Sequence, residues 1–291
     1  MKWKRVSNPD VIDTRGRRGG MPGGRVALPG GVGLVGVLVF LAIQLLGGGG
    51  GGSAFDVPIG LDGGARPPAA DPIPASQDPE RDLKDFSTYV FTDTVSSWQA
   101  TFQRSGKSFD RPKMVLFRDG VQTGCGAASS AVGPFYCPAD QRVYLDLSFE
   151  DELQQKLGAG GDFAWAYVIA HEVGHHVQTQ TGASQRVEQL RREDPGSANE
   201  LSVRLELQAD CYAGVWAHGV FARGDLESGD VQEAMTAAEA VGDDRLQRRA
   251  GGQVDPDTFT HGTSAQRQKW FDAGYEGGDP GACDTFAADQ L

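Results

Sequence analysis

The chain has 291 residues, 39% of them hydrophobic and 23% charged, which is room for one folded domain of about 200 residues plus an anchor and a linker. Its net charge of −12 is unevenly spread: residues 1–25 hold seven Lys and Arg against two Asp, a net +5, leaving −17 on the rest. An acidic body excludes phosphate-backbone recognition, which needs clustered Lys and Arg, so nucleic acid is not an expected partner.

Residues 26–46 (VALPGGVGLVGVLVFLAIQLL) carry no charge. At about 1.5 Å per residue they are long enough to cross a hydrocarbon core of about 30 Å. The basic flank precedes them, so the positive-inside rule predicts a cytoplasmic tail (1–25), a single-pass transmembrane anchor in the cell membrane (26–46) and an extracytoplasmic remainder. A cleaved signal peptide is the rival reading, but the apolar run is long for one and Gly47–Gly52 contains no A-x-A cleavage site. Residues 47–78, rich in Gly and Pro, read as a flexible linker, with a folded domain over 79–291.

Residues 79–104 space Leu83, Phe86, Val90, Trp98 and Phe102 as an amphipathic helix, and 113–117 (KMVLF) reads as a strand. Pro138 to Gln141 is a turn, followed by alternation of Val143, Leu145 and Leu147 with Tyr144, Asp146 and Ser148 in a half-buried strand, 143–149. That strand is either an ordinary core strand or an edge that pairs with an extended substrate. Four helices follow. The first runs from Asp162 as N-cap to Gly182, and the charged segment QRVEQLRREDPGS that follows reads as a helix end and a surface loop. The second opens at Ser197 with Glu200 in a capping box and ends near Gly219 or Gly224. The third covers 229–249, and the fourth runs from Thr263 or Ser264 to Gly274. The fold class expected is α+β, mostly helical, with a small sheet. Four cysteines after an export signal suggest two disulfides; of three pairings, Cys125–Cys137 and Cys211–Cys283 are favoured over free thiols.

The chemistry concentrates in His171-Glu172-Val173-Gly174-His175. Histidines four apart on a helix share one face, so both imidazoles reach one metal ion, and Glu172 points at a water bound to it. The flanking residues (FAWAYVIA) are apolar, which argues against a solvent-facing His-rich helix. Zinc needs a third protein ligand and an open position. A metzincin would have Gly at 178 and His at 181; Gln178 and Thr181 exclude it. Glu206 and Asp210 share one face of the second helix. Glu206 is assigned to the metal and Asp210 to the far nitrogen of a ligand histidine. The alternative is that both merely pair with Arg204 or a surface lysine. His218 is a weaker ligand candidate, and His176, about 100° round the helix, a bystander.

The segments HEVGHHVQ at 171–178, ELQADCYAG at 206–214, THGTSAQR at 260–267, GPFYCP at 133–138 and VYLDLSF at 143–149 together resemble the bacterial neutral zinc metallopeptidase family. The resemblance covers roughly 79–286 plus that family's N-terminal anchor. It implies a zincin-like, gluzincin-type domain with one Zn²⁺ per chain, held by His171, His175 and Glu206. Glu172 would be the base that activates the zinc-bound water, Asp210 a support to the ligands, and the substrates peptides or unfolded proteins. His261 stands just before the last helix, where it is either a donor to the oxyanion, with its pKa lowered by the helix N-terminus, or a structural histidine. Arg267 is the other donor candidate, with a structural ion pair as the competing reading. The rival function is a non-catalytic cell-surface binding or scaffold protein with a structural zinc, which would need a fourth ligand such as His176 or His218 and has no use for Glu172. A cell-wall amidase is a second rival, less suited to this ligand order.

Overall fold

The computed structural model describes residues 1–16 and 73–291. In chain order its elements are β1 (Val11–Asp13), α1 (Arg81–Arg104), β2 (Lys113–Phe117), β3 (Gly120–Thr123), β4 (Gly126–Ser129), β5 (Phe135–Cys137), β6 (Arg142–Asp146), α2 (Ser148–Gln155), α3 (Asp162–Thr181), α4 (Ala183–Glu193), α5 (Ala198–Ala222), α6 (Asp230–Ala240), α7 (Asp243–Arg249) and α8 (Ser264–Gly277). The fold is α+β and mostly helical. Its main sheet has the order β1-β2-β6-β5, with β1–β2 and β2–β6 parallel and β5–β6 antiparallel. Both faces are covered, which is why β2 reads as an unbroken apolar run. Met114, Leu116, Val143 and Leu145 enter the helical core, while Val115, Phe117 and Tyr144 join a smaller cluster under the β3–β4 hairpin. The Cys125–Cys137 disulfide, Cα–Cα 5.9 Å, ties that hairpin to β5.

Helix α3 is buried at every position from Phe163 to Gly174, so it forms the axis of the domain, with α1, α5 and α6 packed round it. Helices α5 and α8 cross in backbone contact. A Cβ on Gly214 would lie 2.0 Å from the Phe271 carbonyl oxygen, and one on Gly274 2.0 Å from that of Cys211. Only glycine fits at either place. The Cys211–Cys283 disulfide closes the same region, Cα–Cα 5.5 Å.

Several expectations are corrected here. Residues 1–16 are not a separate tail, for they are part of the folded domain. Val11, Ile12 and Asp13 pair with Met114, Val115 and Leu116, and the Met1 side chain is 3% exposed. The Met1 amino group lies 2.9 Å from Asp162 and 3.3 Å from Asp230. Arg15, read from sequence as free positive charge, is buried against Asp13 at 2.8 Å and Asp78 at 2.7 Å. A single crossing by residues 26–46 puts residue 16 and residue 73 on opposite sides of a bilayer, whereas one sheet requires them on the same side. The predicted anchor itself and most of the predicted linker lie outside the described residues; among the described residues no helix is long and apolar enough to cross a membrane.

Local corrections follow the same pattern. Gly161, not Asp162, is the N-cap of α3, and the Asp162 carboxylate faces the Met1 amino group instead. Ser197 makes no capping bond to α5: its hydroxyl donates to the Asp194 carbonyl, and Glu200 pairs with Arg204. The charged segment read as a helix end and a surface loop is mostly helix, α4, which runs to Glu193. The predicted helix over 229–249 is two, α6 and α7, broken at Gly242, where a Cβ would lie 2.4 Å from the Ser264 nitrogen. The capping box forms at α8, between Thr263 and Gln266. Strand 143–149 ends at Asp146 because α2 begins at Ser148, and it is an inner strand; β5 is the edge.

Candidate active site

His171 and His175 stand one turn apart on α3, ring centroids 4.8 Å apart. Gly174 lies between them and faces α5, where a Cβ would come 3.1 Å from the Ala209 carbonyl oxygen. That close approach brings Glu206 of α5 to both rings. His171 Nε2 is 3.2 Å from one Glu206 oxygen and His175 Nε2 is 3.5 Å from the other. The far nitrogen of each ring is already engaged: His171 Nδ1 donates to Asp210 at 2.8 Å, and His175 Nδ1 to the Gln178 side-chain oxygen at 2.9 Å. Both Nε2 atoms therefore turn to one point.

These donors fit zinc. The three ligand atoms lie within 4.8 Å of one another. The two imidazole nitrogens reach the two oxygens of one carboxylate, at 3.2 and 3.5 Å, close enough for a single ion with bonds of about 2.0–2.2 Å to meet all three residues. Two imidazoles and a carboxylate would leave a fourth position for water or substrate. The electrostatics point the same way. Burial disfavours a protonated His171, yet Asp210 and Glu206 outweigh it and push its pKa up to about 10. Burial likewise opposes a charged Glu206, but His175, His261 and His171 hold it well below the usual carboxylate range. A field that holds a proton this firmly on an imidazole also attracts a divalent cation.

Asp210 is the node behind the ligands. It is fully buried and accepts from His171, from Tyr167 Oη at 2.5 Å and from Arg267 Nε and Nη2 at 2.8 and 2.9 Å. Arg267 thus makes the ion pair considered for it, a bidentate one reaching from α8 to α5. Glu172 lines the cavity shared by His171 and His175, and burial raises its pKa, the two histidines partly offsetting the rise.

His261 also lines this cavity. Its Nδ1 is 3.2 Å from Asp243, whose other oxygen accepts the backbone N–H groups of Thr260, His261 and Gly262. The expected lowering of its pKa by a helix end is corrected: burial lowers it, but Glu206 and Asp243 raise it more, so the net direction is up. His176 and His218 do not join the ligands. His176 lies between the Tyr136 hydroxyl at 3.0 Å and the Asp110 carbonyl at 2.6 Å. His218 donates to the Tyr275 carbonyl at 2.7 Å, three turns along α5 from Glu206.

Sequence reasoning missed Tyr167, Gln178 and Asp243. Tyr167 and Gln178 flank the metal motif at positions −4 and +3 from its histidines, a spacing that could have marked them as supports. Asp243 carried no such signal, because its partner lies 18 residues on. The cavity is about 500 Å³ and its rim includes Gly133, Pro134, Phe135 and Tyr136 of the edge strand and the turn before it.

A family profile described as "Putative neutral zinc metallopeptidase" matches residues 1–286. The uncharacterized protein YpfJ of Escherichia coli K12 is 46% identical over 292 residues, 98% of this chain and 99% of that protein. The uncharacterized protein Rv2575 of Mycobacterium tuberculosis H37Rv is 48% identical over 209 residues, 68% of this chain and 70% of that protein. No solved structure matches. The profile spans almost the whole chain, first strand included, and the ligand geometry agrees with the metal it names: the chain belongs to the neutral zinc metallopeptidase family.

Proposed function

We propose that the protein is a zinc-dependent endopeptidase that cleaves extended or unfolded peptide segments, with Glu172 as general base. The observation that carries this reading is Glu172 itself, buried in the same cavity as the two Nε2 atoms and Glu206. A purely structural zinc has no use for a carboxylate there, and His176 and His218 are both committed elsewhere.

His171, His175 and Glu206 would hold the zinc, which would supply Lewis acidity to the scissile carbonyl and to a bound water. Glu172 takes the proton of the attacking water and hands it to the leaving amine. Burial raises its pKa above the ordinary carboxylate value, the direction that suits a group that must take up a proton and release it again. His261 donates to the carbonyl oxygen as negative charge develops there, held in position by Asp243. Asp210 acts through His171, fixing its ring orientation. The outer edge of β5 offers backbone groups to an extended substrate, the role weighed from sequence for the neighbouring strand.

The apolar run 26–46 supports membrane association, with both of its flanks on one side of the bilayer; alkaline extraction of membranes tests this, and recovery of all the protein in the soluble fraction refutes it. The catalytic reading is tested by comparing the wild type with Glu172→Gln for bound zinc and hydrolysis of casein. One zinc per chain in both, with cleavage by the wild type alone, is the expected result. Equal cleavage by both refutes Glu172 as base, and absence of zinc from both refutes the ligand set.

A further inference from the structure

Among the described residues three arginines are buried: Arg15, Arg191 and Arg267. Two of them have carboxylate partners, Arg15 with Asp13 and Asp78, Arg267 with Asp210. Arg191 does not. It is 7% exposed, and its Nε and Nη2 atoms are buried with no hydrogen-bond partner. The anions around it are already taken. Glu188, one helical turn before, holds Arg192 at 2.9 Å, and Glu206 lies between the ligand histidines.

Arg191 has this environment because of how α4 docks. Val187, one turn earlier, packs with Leu201 and Leu205 of α5, so the same face of α4 carries Arg191 inward. The side chain lines the cavity that holds Glu172, His175 and Glu206. A guanidinium withdrawn from water with no ion pair of its own is costly, and folds seldom keep one without a use for it. Burial pushes its pKa down, with Glu188 and Glu206 acting in the opposite sense. Its planar fork is the group best matched to a carboxylate, which it binds through two parallel hydrogen bonds.

We propose that Arg191 is a specificity residue of this cleft and binds a carboxylate of the peptide substrate. The inference deepens the peptidase reading and rests on it. Two sources share this chemistry: an Asp or Glu side chain near the scissile bond, and the C-terminal carboxylate of a short peptide.

The test is direct binding, by calorimetry, to the zinc-loaded full chain carrying Glu172→Gln. The probes are acetylated hexapeptides in matched pairs, Glu against Gln at each position in turn and C-terminal acid against amide. At least one pair is expected to differ by roughly tenfold or more in Kd, as befits a desolvated charge pair. The difference is expected to vanish when Arg191→Met is added. A Glu/Gln pair identifies an acidic-residue subsite, and an acid/amide pair identifies recognition of the peptide end. If every pair binds within twofold, or a difference survives Arg191→Met, the proposal is overturned. The melting temperature of ligand-free Arg191→Met supplies the second readout. It is expected to equal or exceed that of the wild type, because an uncompensated buried cation has been removed; a lower value assigns Arg191 to the fold and overturns the proposal. Failure of the peptidase reading shows separately, as absence of cleavage by the wild type, since these readouts need no turnover.

Discussion

Replacing Asp210 by Asn separates two roles that one carboxylate performs. The native oxygens take four hydrogen bonds, one each from Tyr167 and His171 and two from Arg267, and all four groups are buried. Asn offers a single acceptor oxygen. Its NH₂ group must then face either the Arg267 Nε or the His171–Tyr167 side, donor against donor, and the guanidinium is left without its counter-charge. Breaking a buried pair from one side costs about 3–5 kcal/mol, a large part of a typical stability of about 5–15 kcal/mol. His171 also loses the anion that orients it, for which zinc affinity is expected to fall about 10- to 100-fold. Urea unfolding followed by tryptophan fluorescence measures the first quantity, and competition with a chromophoric chelator the second. Adding Arg267→Met removes the stranded cation, so the double variant should regain most of the stability while zinc affinity stays low. A single-variant loss under about 1 kcal/mol refutes the buried-pair argument. Recovery of zinc affinity in the double variant refutes the claim that Asp210 acts on the metal through His171.

Other perturbations follow from the same geometry. His261→Ala is expected to lower kcat by about 10²-fold with little change in KM, and Asp243→Asn by less; steady-state kinetics on one peptide checks both. Asp78→Asn should cost about 1–3 kcal/mol, because Arg15 loses one buried hydrogen-bond partner beside β1 while Asp13 still pairs with it. The pH dependence of that pair has a definite sign. Burial opposes the Asp78 charge, but Arg15 and the Glu80 N–H hold its pKa below the unfolded value of about 3.9. The stabilisation is therefore complete above that pH and is lost as pH falls through the folded pKa. Stability measured on titration below about pH 4 should fall more steeply in the wild type than in Asp78→Asn. Gly274→Ala should destabilise by about 1–3 kcal/mol or more, since its methyl meets the Cys211 carbonyl, with loss of zinc affinity as Arg267 moves away from Asp210.

The reach of sequence reasoning here follows the range of the interactions involved. His171, Glu172 and His175 were legible because helix geometry alone stacks positions four apart, and Glu206 with Asp210 because the same rule applies on a second helix. The α+β class, the strand at 113–117 and the helix that carries the metal motif came from local periodicity. Whatever needed a distant partner stayed hidden. The positive charge of Arg15 looked like a membrane-topology signal until Asp78, 63 residues away, was found neutralising it. The strand Val11–Asp13 is only 3 residues long and has no pattern of its own; its parallel partner β2 makes it a strand. Gly242 gives no sign in sequence that Ser264 will press against it and split one helix into two. Nor does α4, read as a helix end and a surface loop, disclose that Val187 will dock on α5 and draw Arg191 under with it. Sequence determined which candidate groups share a helix face, because that depends on one helix at a time; tertiary structure alone decided which charges are neutralised and which is left facing the cleft, because charge compensation depends on proximity in space.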